Sequence, residues 1–445
     1  MPNTHLPIGI IGGGPIGLAA AAHLAKRNIP FLLFEAGNSV GHNFLSWGHV
    51  RVFSPWKYNI DHAAEELLSQ IGWKSPDKEG LPTGKELVEQ YFQPLAKHPF
   101  IEPGIHLQAK VISVGRKGLD KMKTAGRQDK PFLLKVEEEG IIHYYEVKAV
   151  IDSSGTWNQP NPIGSGGLMA EGEEEVAGHI FYGIPDVKDK ILDRYKNKNI
   201  VVVGGGHSAT NVLLDLADVQ KDYPDTQINW ILRKKDISTV YGGKESDALA
   251  ARGALGIRIE QLVNSGKLNV YTPFHIFKLT QEKSGIQIEG DWNGQRESIS
   301  NIDEIISNTG SRPDLDMIRE LRVDLDSALE SVFDLADLID PNIHSCGTVR
   351  PHGEKELRHP EKDFYIVGSK SYGRAPTFLM ATGYEQVRSV IAYLDGDIAA
   401  AERVELNLPQ TGVCNSNLGE VEHVSVGCCV PAEEGEVIEF GGGCC

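Results

Sequence analysis

The stretch "LPIGIIGGGPIGLAAAAHLAKRNIPFLLFEAG", residues 6–37, decides the fold. It opens with an apolar run suited to a buried strand and turns through glycines. It continues as an alanine-rich helix and ends in a second apolar run closed by Glu35. The turn reads G-x-G-x-x-G at Gly12, Gly14 and Gly17, with Pro15 and Ile16 inside it. Gly12 permits the tight turn, Gly14 lets backbone approach a pyrophosphate, and Gly17 lets helix and strand pack closely. The helix N-terminus offers free N–H groups and the positive end of its dipole to phosphates. Glu35 stands where a carboxylate accepts from ribose hydroxyls. Such a glycine turn alone is weak evidence. With strand, helix, second strand and acid in register, the stretch predicts a dinucleotide site.

The unit recurs about 190 residues later in "KNIVVVGGGHSATNVLLDLA", residues 198–217. Its turn is G-x-G-x-x-A at Gly204, Gly206 and Ala209, with Ser208 inside, after a strand expected over Asn199–Val203. The following strand ends in Arg233, Lys234 and Lys235 rather than in an acid. Cations there suit a 2′-phosphate and favour NADPH over NADH.

Three further segments tie the units together. "VKAVIDSSGTWNQPNP" is a strand that ends at Gly155 and leaves the first unit. "IDEIISNTGSRPDLD" is a strand that ends at Gly310 and leads back. "DFYIVGSKSYGRAPTFLMATGYEQVRSVIAYL" is a strand, a glycine turn at Gly368-Ser369 and a long helix opening near Gly383. The expected fold class is α/β: a Rossmann-like domain from residues 1–165 and 305–400, a second one inserted over 166–304, and a tail over 401–445.

A net charge of −17 argues against nucleic-acid and anionic-membrane partners. No stretch approaches the roughly 18–20 apolar residues of a membrane span. The expectation is a soluble cytoplasmic protein, with homodimerisation left open. Six cysteines are few for a disulfide scaffold, and they are unevenly placed. Cys346 lies in the body, whereas Cys414, Cys428, Cys429, Cys444 and Cys445 fall in the acidic tail. Neighbouring Cα atoms sit about 3.8 Å apart, below the range of an unstrained disulfide. Adjacent thiolates suit soft cations. The tail glutamates raise the thiol pKa values and make free thiolate scarcer.

Together these motifs resemble the two-dinucleotide-binding-domain flavoproteins, over roughly residues 7–395. That group includes flavin-containing monooxygenases, Baeyer–Villiger-type enzymes and thioredoxin-reductase-like proteins. The resemblance implies FAD at Gly12, Gly14, Gly17 and Glu35, and NADPH in the second unit. It gives Gly368 and Ser369 the flavin ribityl or phosphate, with Ser369 where Asp is common. "GTWNQPNP" and "VRVFSPW", which holds Ser54, look like the monooxygenase branch. Phe53 occupies the place of that branch's flavin-facing Asn, and Asn59 is the substitute. The branch's His/Tyr fingerprint is only hinted at by His179 and Tyr182, and His179 reads better as a loop histidine. The internal cysteine pairs of disulfide reductases are absent from their usual places. The terminal pair resembles the vicinal cysteines of mercuric reductases, so Cys428, Cys429, Cys444 and Cys445 are the candidates for thiol chemistry. The resulting expectation is an NADPH-dependent FAD oxidoreductase that leans to monooxygenation of a small molecule. The alternatives are a thiol/disulfide or soft metal(loid) reductase using the tail, and a flavin redox sensor.

Overall fold

A computed structural model describes residues 5–247, 249–343 and 349–406. All six cysteines, Cys346 and the tail pairs included, lie outside the described residues. The chain is α/β and is built on two five-stranded parallel sheets.

The first sheet is centred on Ile8–Ile11, flanked by Phe31–Phe34 and Ile105–His106 on one side and by Ala149–Asp152 and Phe364–Ile366 on the other. All four residues of Ile8–Ile11 are buried, as a parallel strand covered on both faces requires. The helix Pro15–Lys26 packs against the helices His62–Gln70 and Met380–Leu394. Pro15 at its start fixes φ where an N–H would go unpaired. Ala19, Ala20, Ala21 and Ala22 are fully buried, and small side chains let these helices approach closely. An antiparallel meander, Ala109–Arg116, Phe132–Glu138 and Ile141–Val147, follows.

The second sheet repeats the plan. Asn199–Val203 pairs with Gln227–Ile231 and with Glu304–Ser307, and Asn269–Tyr271 and Ile180–Tyr182 form the edges. The helix His207–Asp222 follows the central strand. A second antiparallel meander runs over Phe274–Glu282, Gly285–Trp292 and Gln295–Ile302.

One expected boundary moves. A division at 304/305 would leave Glu304 in the second unit and give Ile305–Ser307 to the first, yet the strand Glu304–Ser307 pairs as one piece with Ile200–Val203. Its apolar residues complete the second core, and the crossing falls at Asn308–Arg312. The two crossings are laced together. Asn161 N–H donates to the Gly310 carbonyl at 2.9 Å, Thr309 Oγ1 to the Asn161 carbonyl at 2.6 Å, and Arg312 N–H to the Gln159 carbonyl at 2.9 Å. From the first unit, Trp47 and Val50 pack on the core of the second. No helix among the described residues is long and apolar enough to cross a membrane.

Candidate functional site

The glycine turns stand as their spacing predicts. A Cβ on Gly17 would sit 2.0 Å from the Gly12 carbonyl oxygen, so only glycine lets this helix meet the turn. In the second unit Ala209 is fully buried at the matching place, and a Cβ on Gly204 would lie 2.2 Å from the Asn308 carbonyl oxygen. Glu35 accepts from the N–H groups of Gly13 and Gly37, each at 2.7 Å. This fixes the carboxylate beside the turn.

A cavity of about 460 Å³ opens at the turn. Gly12, Gly14, Pro15, Ile16, Glu35, Ser54, Asn59, Gly155, Ser208, Gly368 and Ser369 line it, as does Phe53. The first unit thus supplies most of its wall. The second unit adds Ile184, His207, Ser208, Asn211 and Leu249. Phe53 and His207 meet across the gap with ring centroids 5.2 Å apart. Both dinucleotide turns therefore face one space. Phe44, Trp47, Trp157 and Phe378 make one side of it aromatic.

Other expected residues act behind the wall or away from it. Gly17, Gly204, Gly206 and Ala209 shape the turns without lining the cavity. Gly310 lies in the laced crossing. Arg233 and Lys234 follow the strand Gln227–Ile231, outside the cavity lining. The long helix opens at Met380 rather than near Gly383. Gly383 instead receives the side chain of Ile16, whose Cδ1 is 2.5 Å from where a Cβ would stand. Asn59 is buried and donates through Nδ2 to the carbonyls of Ser54 and Pro55, at 2.6 and 2.9 Å. That amide nitrogen holds the loop that presents Phe53. His179 is half exposed and bonds the Asp303 carbonyl, while Tyr182 donates to Glu173 at 2.5 Å. Neither lines the cavity, and His179 closes a short 3-10 helix, Ala177–His179, rather than lying in a loop.

Sequence reasoning missed three features. His207 opens onto the cavity but is crowded by protein. Desolvation first, and then the Arg252 guanidinium, lowers its pKa from the ordinary histidine value. Its signal was its place inside the second turn. Lys370 and Asp152 form a fully buried ion pair at 2.7 Å, and Lys370 also reaches Ser154 Oγ at 3.1 Å. Asp152 Oδ1 accepts from Ser154 Oγ and N–H, at 2.7 and 3.1 Å. The pair thereby braces the Ser153–Gly155 wall. Gln386 accepts from Gly368 N–H at 2.7 Å and bonds Ser371 and His352, which fixes the turn opposite.

Residues 9–338 match the pyridine nucleotide-disulphide oxidoreductase family. The chain belongs to that family. It is an oxidoreductase that works with FAD and NAD(P)H, and its two turns fit two dinucleotides. Ferredoxin–NADP reductase 2 of Exiguobacterium sibiricum is 24% identical over 356 residues, 78% of this chain and 82% of that protein. Ferredoxin–NADP reductase of Lactiplantibacillus plantarum is 26% identical over 324 residues, 72% and 78% of the two chains. The solved structure of the bacillithiol disulfide reductase Bdr from Bacillus cereus superposes with a TM-score of 0.65 at 18% identity, covering 87% of this chain and 98% of that one. The cadaverine monooxygenase DfoA of Erwinia amylovora gives 0.62 at 12%, covering 94% and 100%. At these identities the structural likeness establishes the fold alone.

Proposed function

We propose that this chain is an NADPH-dependent FAD oxidoreductase whose reduced flavin serves a small molecule admitted to the aromatic side of the cavity, in the manner of flavin monooxygenases. The observation that carries it is the single cavity lined by both dinucleotide turns. FAD, if bound there, would supply the chemistry of taking hydride from NADPH and passing electrons onward. The chain's own residues hold and orient. Glu35 and the helix starting at Pro15 take the adenosine half of FAD, and Gly155, Gly368 and Ser369 take its middle. The N-terminus of the helix Met380–Leu394 gives positive potential to the isoalloxazine. His207, Ser208 and Asn211 receive NADPH, and Arg233 and Lys234 receive its 2′-phosphate. Phe44, Trp47, Phe53 and Trp157 keep water from the reacting atoms. The preference for NADPH has support from relatives named as NADP reductases.

The test is stoichiometric. In air, with candidate substrates, monooxygenation consumes one NADPH and one oxygen per hydroxylated product, with little peroxide. Turnover that yields only peroxide, whatever is added, would refute the monooxygenase reading.

A second reading, a thiol or soft metal(loid) reductase working through Cys428–Cys429 and Cys444–Cys445, is favoured by the place of Leu406. Leu406 lines a neighbouring cavity of about 650 Å³ that shares Tyr58 and Ala381 with the cofactor cavity. Leu406 thus stands one wall away from the cavity that the two turns share. Removing residues 407–445 decides: this reading requires NADPH-driven reduction of disulfides and arsenic or mercury species to be lost with the tail. Negligible steady-state NADPH consumption with every acceptor would leave the redox sensor.

A further inference from the structure

The loop after the first crossing, Gly164–Gly167, carries two arginines from elsewhere in the chain. A Cβ on Gly167 would occupy a point 3.7 Å from an Nη2 atom of Arg312 and equally 3.7 Å from an Nη2 atom of Arg374. Gly167 has φ +77°, and its missing side chain leaves that point open. Two like charges converging on one point repel unless something anionic stands between them.

Nothing among the described residues does so. Elsewhere in this acidic chain buried arginines meet carboxylates: Arg116 and Arg127 share Glu361, and Arg252 pairs with Asp247. Among the described residues Arg312 and Arg374 make no ion pair. Arg312 uses Nε on Asn161 Oδ1 at 2.9 Å, and the Arg374 side chain makes no hydrogen bond among the described residues. Their backbones are nevertheless fixed. Arg312 belongs to the laced crossing, and Arg374 N–H donates to the Leu329 carbonyl at 2.7 Å. The backbone under both forks is thus set before any ligand arrives, while the Arg374 side chain itself is exposed.

Neither arginine lines the cofactor cavity, but both stand beside residues that do. Ser311, beside Arg312, donates to Thr156 Oγ1 at 2.9 Å, and Thr156 and Trp157 line that cavity. Downstream of Arg374, residues Phe378, Leu379, Met380 and Ala381 form another wall of it. Next to the arginines Leu168 is 73% exposed and Met169 53%. These are large apolar side chains left to solvent.

We infer that Arg312 and Arg374 form a binding site for an organic oxyanion, a carboxylate or phosphate on an apolar body, beside the cofactor cavity. Planar guanidinium forks match such groups bidentately, and Leu168, Met169 and Trp157 supply the apolar surface. The inference deepens the proposed function by giving its substrate a chemical class. It rests on that reading only for the ligand's fate.

The test is calorimetry on the full FAD-loaded chain, with benzoate and neutral benzyl alcohol as probes, with and without saturating NADP+. The wild type should bind benzoate at least tenfold more tightly than benzyl alcohol. Arg312→Gln and Arg374→Gln should each weaken benzoate about tenfold and leave the alcohol unchanged. Arg374→Lys should fall between, and retained flavin marks each variant as folded. If NADP+ displaces benzoate and both Gln variants weaken NADP+ itself, the site stands and its oxyanion is the cofactor's phosphate. Benzoate no tighter than benzyl alcohol, or equal benzoate and NADP+ affinities in wild type and variants, would overturn the inference. Charge discrimination that persists in a chain whose flavin NADPH does not reduce would remove the proposed function and leave the site.

Discussion

Replacing Lys370 by Met tests how the flavin side of the cavity is held. The Lys370–Asp152 pair is fully buried at 2.7 Å. Met nearly conserves the volume, so the change removes charge and leaves little cavity. It strands the Asp152 carboxylate away from water. Breaking a buried pair from one side costs about 3–5 kcal/mol. Asp152 Oδ1 keeps Ser154 N–H and Oγ, so the lower end, about 3 kcal/mol, is expected. Urea unfolding followed by flavin release reports on the first unit, and tryptophan emission reports on the whole chain. In a two-unit protein the probes are analysed separately. Adding Asp152→Asn to Lys370→Met keeps an acceptor for Ser154 and removes the stranded charge. The double variant should recover at least half the loss. A single variant shifted by less than about 1 kcal/mol, or a double variant as unstable as the two singles added, would refute the reasoning.

Two other outcomes are expected. Changing Arg233 and Lys234 together to Gln should cut the preference for NADPH over NADH about tenfold or more, read as the ratio of kcat/KM values, because a phosphate would lose charge-assisted partners. An unchanged ratio would remove these residues from the cofactor site. His359 is buried, accepts Asp324 N–H at Nδ1 (3.2 Å), and has no partner at Nε2 among the described residues. Burial holds its pKa down to about 4 from 6.5. Between those values the unfolded chain binds a proton that the folded chain refuses. Its contribution is therefore whole above pH 6.5 and is lost as the pH falls toward 4, by roughly 3 kcal/mol. His359→Gln should flatten the acid slope of the urea midpoint, and an unaltered slope would contradict this assignment.

The turns were legible because their constraint is local. Gly12, Gly14 and Gly17 sit within six positions of one another, and the strand Asn199–Val203 was bounded correctly by the glycines that end it. The crossing segments could also be read, since glycine and proline mark them. What stayed hidden depends on partners far along the chain. The apolar run Glu304–Ser307 would suit either sheet, and only its register with Asn199–Val203 assigns it. Lys370 and Asp152 are 218 positions apart, so neither predicts the other. Asn59 was read as the flavin-facing amide because its type suited the task. It does line the cavity, and its amide nitrogen holds the Ser54–Pro55 loop, a partner that sequence does not show. Arg312 and Arg374 carry no mark until the fold brings them together beside Gly167.

In the proposed function one chain carries electrons from NADPH to FAD within the cavity that both turns line, and no step of that transfer calls on a cysteine. Anaerobic rapid mixing of NADPH with the FAD-loaded protein tests it most directly, in the wild type and in a variant with all six cysteines changed to Ser. The flavin absorbance should bleach in both at the same rate, and more slowly with NADH. A flavin that NADPH leaves oxidised, or one that bleaches only when the cysteines are present, would contradict the account.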